Sequence, residues 1–375
     1  MEVNVPVTDT GFGRFFLPGP TEVRREILEA MLGPMMGHRT ADMEALMDRI
    51  QPGLRHAFRT ERPVYVAPSS GTGMMEMAVR SVGQRRALCL VNGAFSERFA
   101  KICDLSGLEV QRIEVEWGDY HSPDMVEEAL RDDEFDTVTV CHSETATGVL
   151  NPIHEITEVA HRYGAMVCVD TVSSMAGSPV ETDAWGLDFV ATGSQKSFAL
   201  PPGLAFGVAQ PAVLERAAAN TQRGLYFDVL EYERNLEKSQ TPNTPAVSLM
   251  YAAAAQMQAI LEEGIENRWE RHRQMAVRTY EWVDEMRGRG HDIGILAPEG
   301  FRSPTVTCIT VPAGVRGTGV CAALKARGYI IATGYGKMKE DMVRIGHMGD
   351  HTLAELDEVL DNLAAVLHEV LAGHG

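Results

Sequence analysis

Apolar runs of strand length recur through the first two hundred residues and alternate with stretches of helical period. The strand-like runs lie at residues 64–67, 87–91, 137–141, 166–169, 189–191 and 204–209. Between them, residues 123–131 and 154–163 have the spacing of amphipathic helices. Strands that alternate with helices in this way predict an α/β domain with a largely parallel sheet.

The pattern changes after about residue 245. A long helical region rich in Ala, Met, Glu and Arg extends to about residue 288, and strand-like runs follow at 306–311, 329–332 and 342–345. A final helix is predicted over 353–372. This second pattern indicates a smaller α+β domain from about residue 264 onward.

Composition limits the partners of the chain. With 45% hydrophobic and 23% charged residues, the 375-residue sequence is typical of a soluble globular enzyme. A formal net charge of −18 argues against nucleic acid or an anionic membrane as a partner, since both would repel it. The longest uncharged stretch, residues 240–261, contains prolines, Asn and Gln, so we expect no membrane span.

The cysteines and the first residues bear on the compartment. The six cysteines form no Cys-x-x-Cys pair and most lie in apolar runs, which predicts buried free thiols and no metal site. The first ten residues have neither the basic nor the apolar region of a signal peptide. Both features favour a cytoplasmic protein.

An acid and a lysine follow two neighbouring predicted strands. Asp170 ends the run 166–169, and Lys196, 26 residues on, comes just after the run 189–191. Ligands of open α/β sheets bind at the carboxyl ends of the strands, so both side chains can reach one ligand. A lysine that forms a Schiff base and an acid that pairs with a pyridinium nitrogen are what pyridoxal phosphate requires. Taken alone, Lys196 could also be a surface lysine.

A turn of small residues follows the first predicted strand of the chain, the run 64–67. Residues 68–73 (PSSGTG) connect the run 64–67 to a predicted helix over 74–82, which makes the helix N-terminus a candidate anion site. A dinucleotide fingerprint is disfavoured because Glu76 stands where its third glycine would be. A Walker A loop is excluded because Gln195 precedes Lys196. A plainly capped helix is the alternative interpretation.

Together these segments resemble the class V aminotransferases of the pyridoxal-phosphate fold type I superfamily, above all the alanine–glyoxylate and serine–glyoxylate aminotransferases. The matching motifs, in family order and spacing, are residues 17–21 (LPGPT), 37–39 (GHR), 69–73 (SSGTG), 144–148 (ETATG), 169–174 (VDTVSS), 193–196 (GSQK), 201–203 (PPG) and 343–346 (VRIG). The resemblance implies an N-terminal arm over 1–20, a large cofactor-binding domain with a mainly parallel seven-stranded sheet over 21–263, and a small C-terminal α+β domain over 264–375.

The resemblance also implies roles for residues around the cofactor ring. Lys196 looks like the Schiff-base lysine and proton shuttle. Asp170 looks like the partner of the pyridine nitrogen, which it would keep protonated so that the ring accepts electrons. Thr145 matches a hydroxyl residue close to the ring. Phe95 matches the aromatic residue that stacks on the ring, where many relatives carry Trp; plain core packing is its alternative role.

Further matches concern the phosphate and the second subunit. Ser70, Gly71 and Thr72 fall where the family holds the cofactor phosphate, and Gln195 matches a further phosphate contact. Thr244 matches a segment that reaches the phosphate of the neighbouring subunit. The resemblance therefore implies a homodimer with shared active sites.

The substrate side is matched by three residues. Arg344 looks like the arginine that binds the substrate carboxylate, and a bidentate guanidinium pair would orient the amino acid for cleavage of its Cα–H bond. Gly19 and His38 lie near the substrate in such enzymes. His38 could equally be a structural histidine.

The implied activity is transamination between a small L-amino acid, such as serine, alanine or aspartate, and a 2-oxo acid, most plausibly glyoxylate. Other class V reactions are the first alternative: phosphoserine or aminoethylphosphonate transamination, cysteine desulfuration or a lyase reaction. A catalytically silent binding subunit is the second, although Lys196, Asp170 and Arg344 are all present.

Overall fold

The computed structural model describes residues 11–372, so the first ten residues of the predicted N-terminal arm lie outside the described part. Within residues 11–372 the chain forms fourteen strands: β1 (Phe15–Phe16), β2 (Tyr65–Ala67), β3 (Arg86–Val91), β4 (Glu109–Glu114), β5 (Thr137–Cys141), β6 (Ser143–Glu144), β7 (Val149–Leu150), β8 (Met166–Asp170), β9 (Phe189–Gly193), β10 (Ala205–Ala209), β11 (Gly294–Ile295), β12 (Thr307–Thr310), β13 (Ile330–Thr333) and β14 (Met342–Ile345).

The same residues form twelve α-helices: α1 (Arg25–Ala30), α2 (Ala41–Phe58), α3 (Gly71–Val82), α4 (Ala94–Leu105), α5 (Pro123–Asp132), α6 (Ile153–Arg162), α7 (Pro211–Ala219), α8 (Val229–Leu236), α9 (Val247–Glu263), α10 (Ile265–Gly288), α11 (Gly317–Ala326) and α12 (Leu353–Ala372).

Seven strands form the large sheet, in the order β2-β10-β9-β8-β5-β3-β4. Only β10 runs against its neighbours, since β3, β4, β5, β8 and β9 pair in parallel and β2 pairs antiparallel with β10. The mainly parallel seven-stranded sheet expected from the sequence is thus confirmed. The six predicted strands all occur, within two residues of their predicted bounds at either end.

Strand β4 was not predicted from the apolar pattern. It is an edge strand of the sheet, and its side chains are exposed or half-buried, with none fully buried. An edge strand contacts the sheet along one side only, so its sequence need not be an apolar run.

Both faces of the large sheet are covered by helices. Successive residues of a strand point to opposite faces, and β8 shows this: Val167 and Val169 pack in one apolar cluster and Cys168 in the other. Helices α2 and α9 contribute to the first cluster, and α3, α4 and α7 to the second. The sheet is therefore buried on both faces, which explains its continuous apolar strands.

A second, five-stranded sheet has the order β1-β13-β14-β12-β11 and packs against α10, α11 and α12. The strands and the final helix predicted after residue 300 are all present. Strand β1 comes from the start of the chain and pairs in parallel with β13, Phe15 opposite Ile330. The long helical region after residue 245 is two helices, because Gly264, with φ at +80°, separates α9 from α10. The break coincides with the predicted domain boundary, which stays a prediction.

Among residues 11–372, no helix combines the length and the apolar character that crossing a bilayer requires.

Candidate active site

A cavity of about 180 Å³ opens at the carboxyl edge of the large sheet, where β5, β8 and β9 end. Eight of the predicted site residues line it: Ser70, Gly71, Thr72, Phe95, Thr145, Asp170, Gln195 and Lys196. The remaining lining residues are Met75, Arg98, Ser143, Val172 and Ser173. The sheet topology thus brings together side chains that come from well-separated parts of the sequence.

Lys196 is a buried lysine, with only 7% of its surface exposed. Its Nζ donates a hydrogen bond to the carbonyl oxygen of Pro18. Burial lowers the pKa of the amine to about 8, and the charge of Arg344 acts in the same direction, while Asp170 and Glu144 oppose it. The amine is therefore half deprotonated near pH 8, which gives it a nucleophilic form that a surface lysine lacks.

The carboxylate of Asp170 has a hydrogen bond to each oxygen. Oδ1 accepts from the backbone N–H of Val172 at 2.8 Å, and Oδ2 accepts from the thiol of Cys141 at 2.9 Å. Burial raises the pKa of Asp170, whereas both hydrogen bonds and the positive charges of Lys196 and Arg98 lower it. The side chain is held firmly at the base of the cavity.

The turn before α3 shapes one end of the cavity. The side chain of Ser70, the residue before the helix, makes no capping bond, and the first N–H groups of a helix have no partner within it. A Cβ at Gly71 would overlap Cγ2 of Val172, so only glycine allows this close approach. The amide oxygen of Gln195 is buried without a hydrogen-bond partner among the described residues. This end of the cavity therefore has unused hydrogen-bonding groups beside a helix N-terminus.

Helix α4 supplies an aromatic ring and a cation. The Nζ of Lys196 lies 5.7 Å from the centroid of the Phe95 ring, and the guanidinium of Arg98 lies 5.1 Å from it. Arg98 also donates to the hydroxyl of Thr72 at 3.3 Å. Sequence reasoning missed Arg98, although its position three residues after Phe95 places both on one face of the helix.

Glu144 is a second residue that sequence reasoning did not assign. Its buried carboxylate accepts from the N–H and hydroxyl of Ser96 at 2.9 and 3.0 Å and from the N–H of Ala146 at 3.0 Å. Burial raises the pKa of Glu144 despite these donors. A carboxylate at the first turn of α4 is favourable for the helix dipole and fixes the helix to the turn after β6. Glu144 therefore positions the Phe95 side of the cavity.

Arg344 lies next to the cavity and does not line it. From β14 it donates to the carbonyl oxygens of Thr333 at 2.8 Å and Thr145 at 3.0 Å. The guanidinium stands over the ring of Tyr335, 5.4 Å from its centroid, and that ring is 5.4 Å from the Phe95 ring. Burial lowers the pKa of Arg344, but a guanidinium stays charged. Because the two carbonyl oxygens accept only some of the guanidinium N–H groups, Arg344 has donors left that can bind a carboxylate.

The other three predicted residues lie in different environments. Gly19 borders the lysine: its φ is +111°, and a Cβ there would overlap Cδ and Cε of Lys196. His38 is half-buried and Thr244 is exposed, and neither lines the cavity. Arg39 binds the loop before Thr244 by donating to the carbonyl oxygen of Thr241 at 2.6 Å.

The contact between Gly19 and Lys196 gives a testable expectation. If the cofactor is pyridoxal phosphate, as the family resemblance implies, Gly19→Ala should slow its covalent attachment about 10²-fold, because the new methyl group displaces the lysine side chain. Gly164→Ala is the matched control, since Gly164 also has positive φ, +76°, but its new methyl group would meet no described atom within 4 Å beyond its chain neighbours. Both changes should lower the free energy of unfolding by about 1 kcal/mol. Equal attachment rates in the two variants would contradict the expected displacement of the Lys196 side chain by the new methyl group.

Comparison with known proteins identifies the family of the chain. Residues 33–357 match the profile of the family described as class-V aminotransferases. An aminotransferase of Methanocaldococcus jannaschii is 40% identical over 93% of this chain and 90% of that protein. The L-aspartate–glyoxylate aminotransferase of Paracoccus denitrificans is 33% identical over 90% of this chain and 86% of that protein. The structure of a subgroup IV aspartate aminotransferase from Thermus thermophilus has a TM-score of 0.87 at 30% identity, covering 95% and 99% of the two chains.

Proposed function

The chain belongs to the class-V aminotransferase family, and from that premise we propose that it transfers the amino group of serine, alanine or aspartate to glyoxylate. The observation that carries the proposal is the buried amine of Lys196, which shares one cavity with the carboxylate of Asp170 and the turn before α3. Similarity to the L-aspartate–glyoxylate aminotransferase of Paracoccus denitrificans supports the choice of acceptor.

The residues of the cavity fit pyridoxal phosphate as the cofactor. The helix N-terminus at Gly71 suits a dianionic phosphate, and Gln195, which lines the same cavity, has a side-chain amide nitrogen that can donate a hydrogen bond to it. Phe95 offers an aromatic face beside Lys196. Once bound, pyridoxal phosphate supplies a ring that accepts the electron pair left when a bond to the substrate Cα is broken.

Three side chains of the protein have separate roles in the proposed reaction. Lys196 would hold the cofactor through Nζ, and its amine would serve as the base that takes the proton from the substrate Cα. The carboxylate of Asp170 would keep a proton on the ring nitrogen of the bound cofactor. Arg344 binds the substrate carboxylate and so orients the Cα–H bond toward the lysine.

We also propose a homodimer in which Thr244 reaches the phosphate of the partner's cofactor. Thr244 is exposed and away from the cavity of its own chain, as a residue that serves a second subunit would be. Three large apolar side chains among the described residues are strongly exposed: Leu32 is 83%, Met35 69% and Leu225 87% exposed. Burial of such side chains against a second copy would be favourable.

The burial of the cysteines in the C-terminal part of this chain argues against the cysteine desulfurase alternative. Such an enzyme needs a reactive thiolate on the small-domain side. Cys308 is buried in β12 and Cys321 is half-buried in α11. Burial raises the pKa of both thiols to about 12, so neither forms the thiolate at neutral pH.

The lowered pKa of Lys196 predicts a distinctive pH dependence. Below about pH 8 the amine is mostly protonated and cannot attack an aldehyde, and above it the free base dominates. The rate at which the cofactor-free protein attaches pyridoxal phosphate should therefore rise with pH with a midpoint near 8. Borohydride quenching followed by intact mass measurement gives this rate. A midpoint near 10.5, the ordinary lysine value, would contradict the burial of the amine.

The test of the function is a half-reaction with single amino acids. Purified protein loaded with pyridoxal phosphate is mixed with L-serine, L-alanine or L-aspartate, and the visible absorption spectrum is followed while the 2-oxo acid product is measured. Loss of the visible band with one of these donors, and its return with glyoxylate, would establish both halves of the reaction. A band that none of the three donors changes would contradict the proposed donor class, and no band at all would contradict the cofactor.

A further inference from the structure

Cys141 and Asp170 occupy the last positions of two neighbouring strands. They face each other in the register of β5 and β8, which run in parallel. Partners in register project to the same side of a sheet, so the two side chains are placed next to each other by the backbone itself. Both are buried, at 1% and 4% exposure, and Sγ lies 2.9 Å from Oδ2.

Cys141 is the donor in this contact. Burial raises the pKa of the thiol well above its ordinary value, and the negative charges of Asp170 and Glu144 act in the same direction. The sulfur therefore keeps its proton, and the carboxylate accepts it. An S–H group is a weak donor, but a charged acceptor in a buried site strengthens such a bond.

We propose that Cys141 is a positioning residue for Asp170. The S–H group of Cys141 fixes the plane of the Asp170 carboxylate and keeps that carboxylate available as an acceptor toward the cavity. The Val172 N–H alone would hold one oxygen and leave the group free to turn about that contact. Two anchors on two oxygens remove this freedom. This role rests on the proposed function, in which Asp170 meets the cofactor ring nitrogen.

The surroundings of Asp170 make the thiol's contribution separable. Glu144, in β6, adds a negative charge near the carboxylate. The positive groups that act on it are Lys196 and Arg98, which lie in the loop after β9 and in α4. Neither is attached to β5, so a change at Cys141 leaves both side chains in place. Loss of the S–H donor should therefore raise the pKa of Asp170 without a change of net charge.

The test compares a donor-keeping with a donor-free replacement. Cys141→Ser keeps a hydroxyl donor, and Cys141→Val removes it at similar volume. The dissociation constant of pyridoxal phosphate should rise about tenfold in Cys141→Val and less than about threefold in Cys141→Ser. Cys168→Val is the matched control, because Cys168 is a buried cysteine of β8 two residues before Asp170. It should bind like the parent protein.

A second measurement needs no cofactor. The infrared S–H stretching band of the cofactor-free protein should include a component at lowered frequency that disappears in Cys141→Val. In Asp170→Asn that component should move to higher frequency, because an amide oxygen is a weaker acceptor than a carboxylate.

Three outcomes would overturn the proposal. Equal binding by Cys141→Ser and Cys141→Val would remove the positioning role while leaving the proposed function intact. An S–H spectrum that does not change in Asp170→Asn would remove the hydrogen bond. Failure of the parent protein to bind pyridoxal phosphate would overturn the proposed function and the positioning role together.

Discussion

Lys196→Ala should reduce transaminase turnover by about 10⁴-fold or more, because one amine provides both the covalent attachment and the general base. The variant should still bind pyridoxal phosphate without a covalent bond, since the turn before α3, Gln195 and Asp170 are unchanged. Borohydride treatment should then leave the protein mass unaltered, whereas it adds the cofactor mass to the parent protein.

The matched control for this change is Lys101→Ala, which removes an exposed lysine of α4. It should keep full activity and covalent attachment. Small primary amines added to Lys196→Ala should restore part of the turnover, because they can accept the Cα proton in place of Nζ. Steady-state transamination by Lys196→Ala without added amine would contradict the assignment of the lysine.

Arg344→Ala should lower kcat/KM for the amino donor by about 10²- to 10³-fold, most of it through KM, because the substrate carboxylate loses its paired guanidinium. Arg344→Lys should recover only part of the loss, since an ammonium keeps the charge but not the bidentate geometry. Covalent attachment of the cofactor should persist in both variants.

A second readout follows from the charge of Arg344. That charge helps to lower the pKa of Lys196, so Arg344→Ala should move the midpoint of cofactor attachment above pH 8. Arg316→Ala, the control, removes a guanidinium whose side chain is 72% exposed and should change neither KM nor the midpoint. Unchanged substrate affinity in Arg344→Ala would place the carboxylate site elsewhere.

Much of the fold was predictable because its signals are local. Buried parallel strands require apolar runs, and the runs ending at Cys141 and Asp170 were identified nearly to the residue. The ordered motifs also predicted the class V family and fold type I, and both are confirmed. The split of the helix at Gly264 was not expected, because a single glycine can also lie within a helix.

Asp170, Lys196 and the turn at 68–73 could be predicted because each follows a predicted strand. Phe95, Thr145 and Gln195 were predicted only through the family resemblance, and residues that act across the fold were missed. Eight predicted residues line one cavity because their strands end at the same edge. Glu144 was overlooked because its partners in α4 lie some fifty positions away, and neither segment alone shows the contact. Tyr335 was overlooked for the same reason, as its neighbours Phe95 and Arg344 come from opposite halves of the chain. The roles proposed for His38 and Thr244 stay predictions.

The pairing of β1 with β13 sets an order of events during synthesis on the ribosome. Phe15 emerges early, but its partner Ile330 is made only after most of the chain has been translated. Pro18 and Gly19, which lie against Lys196, follow β1 after one intervening residue. The large sheet can form while translation continues, but the lysine site is completed last. A nascent chain arrested before β13 should therefore contain a folded sheet that does not yet attach the cofactor at the native rate.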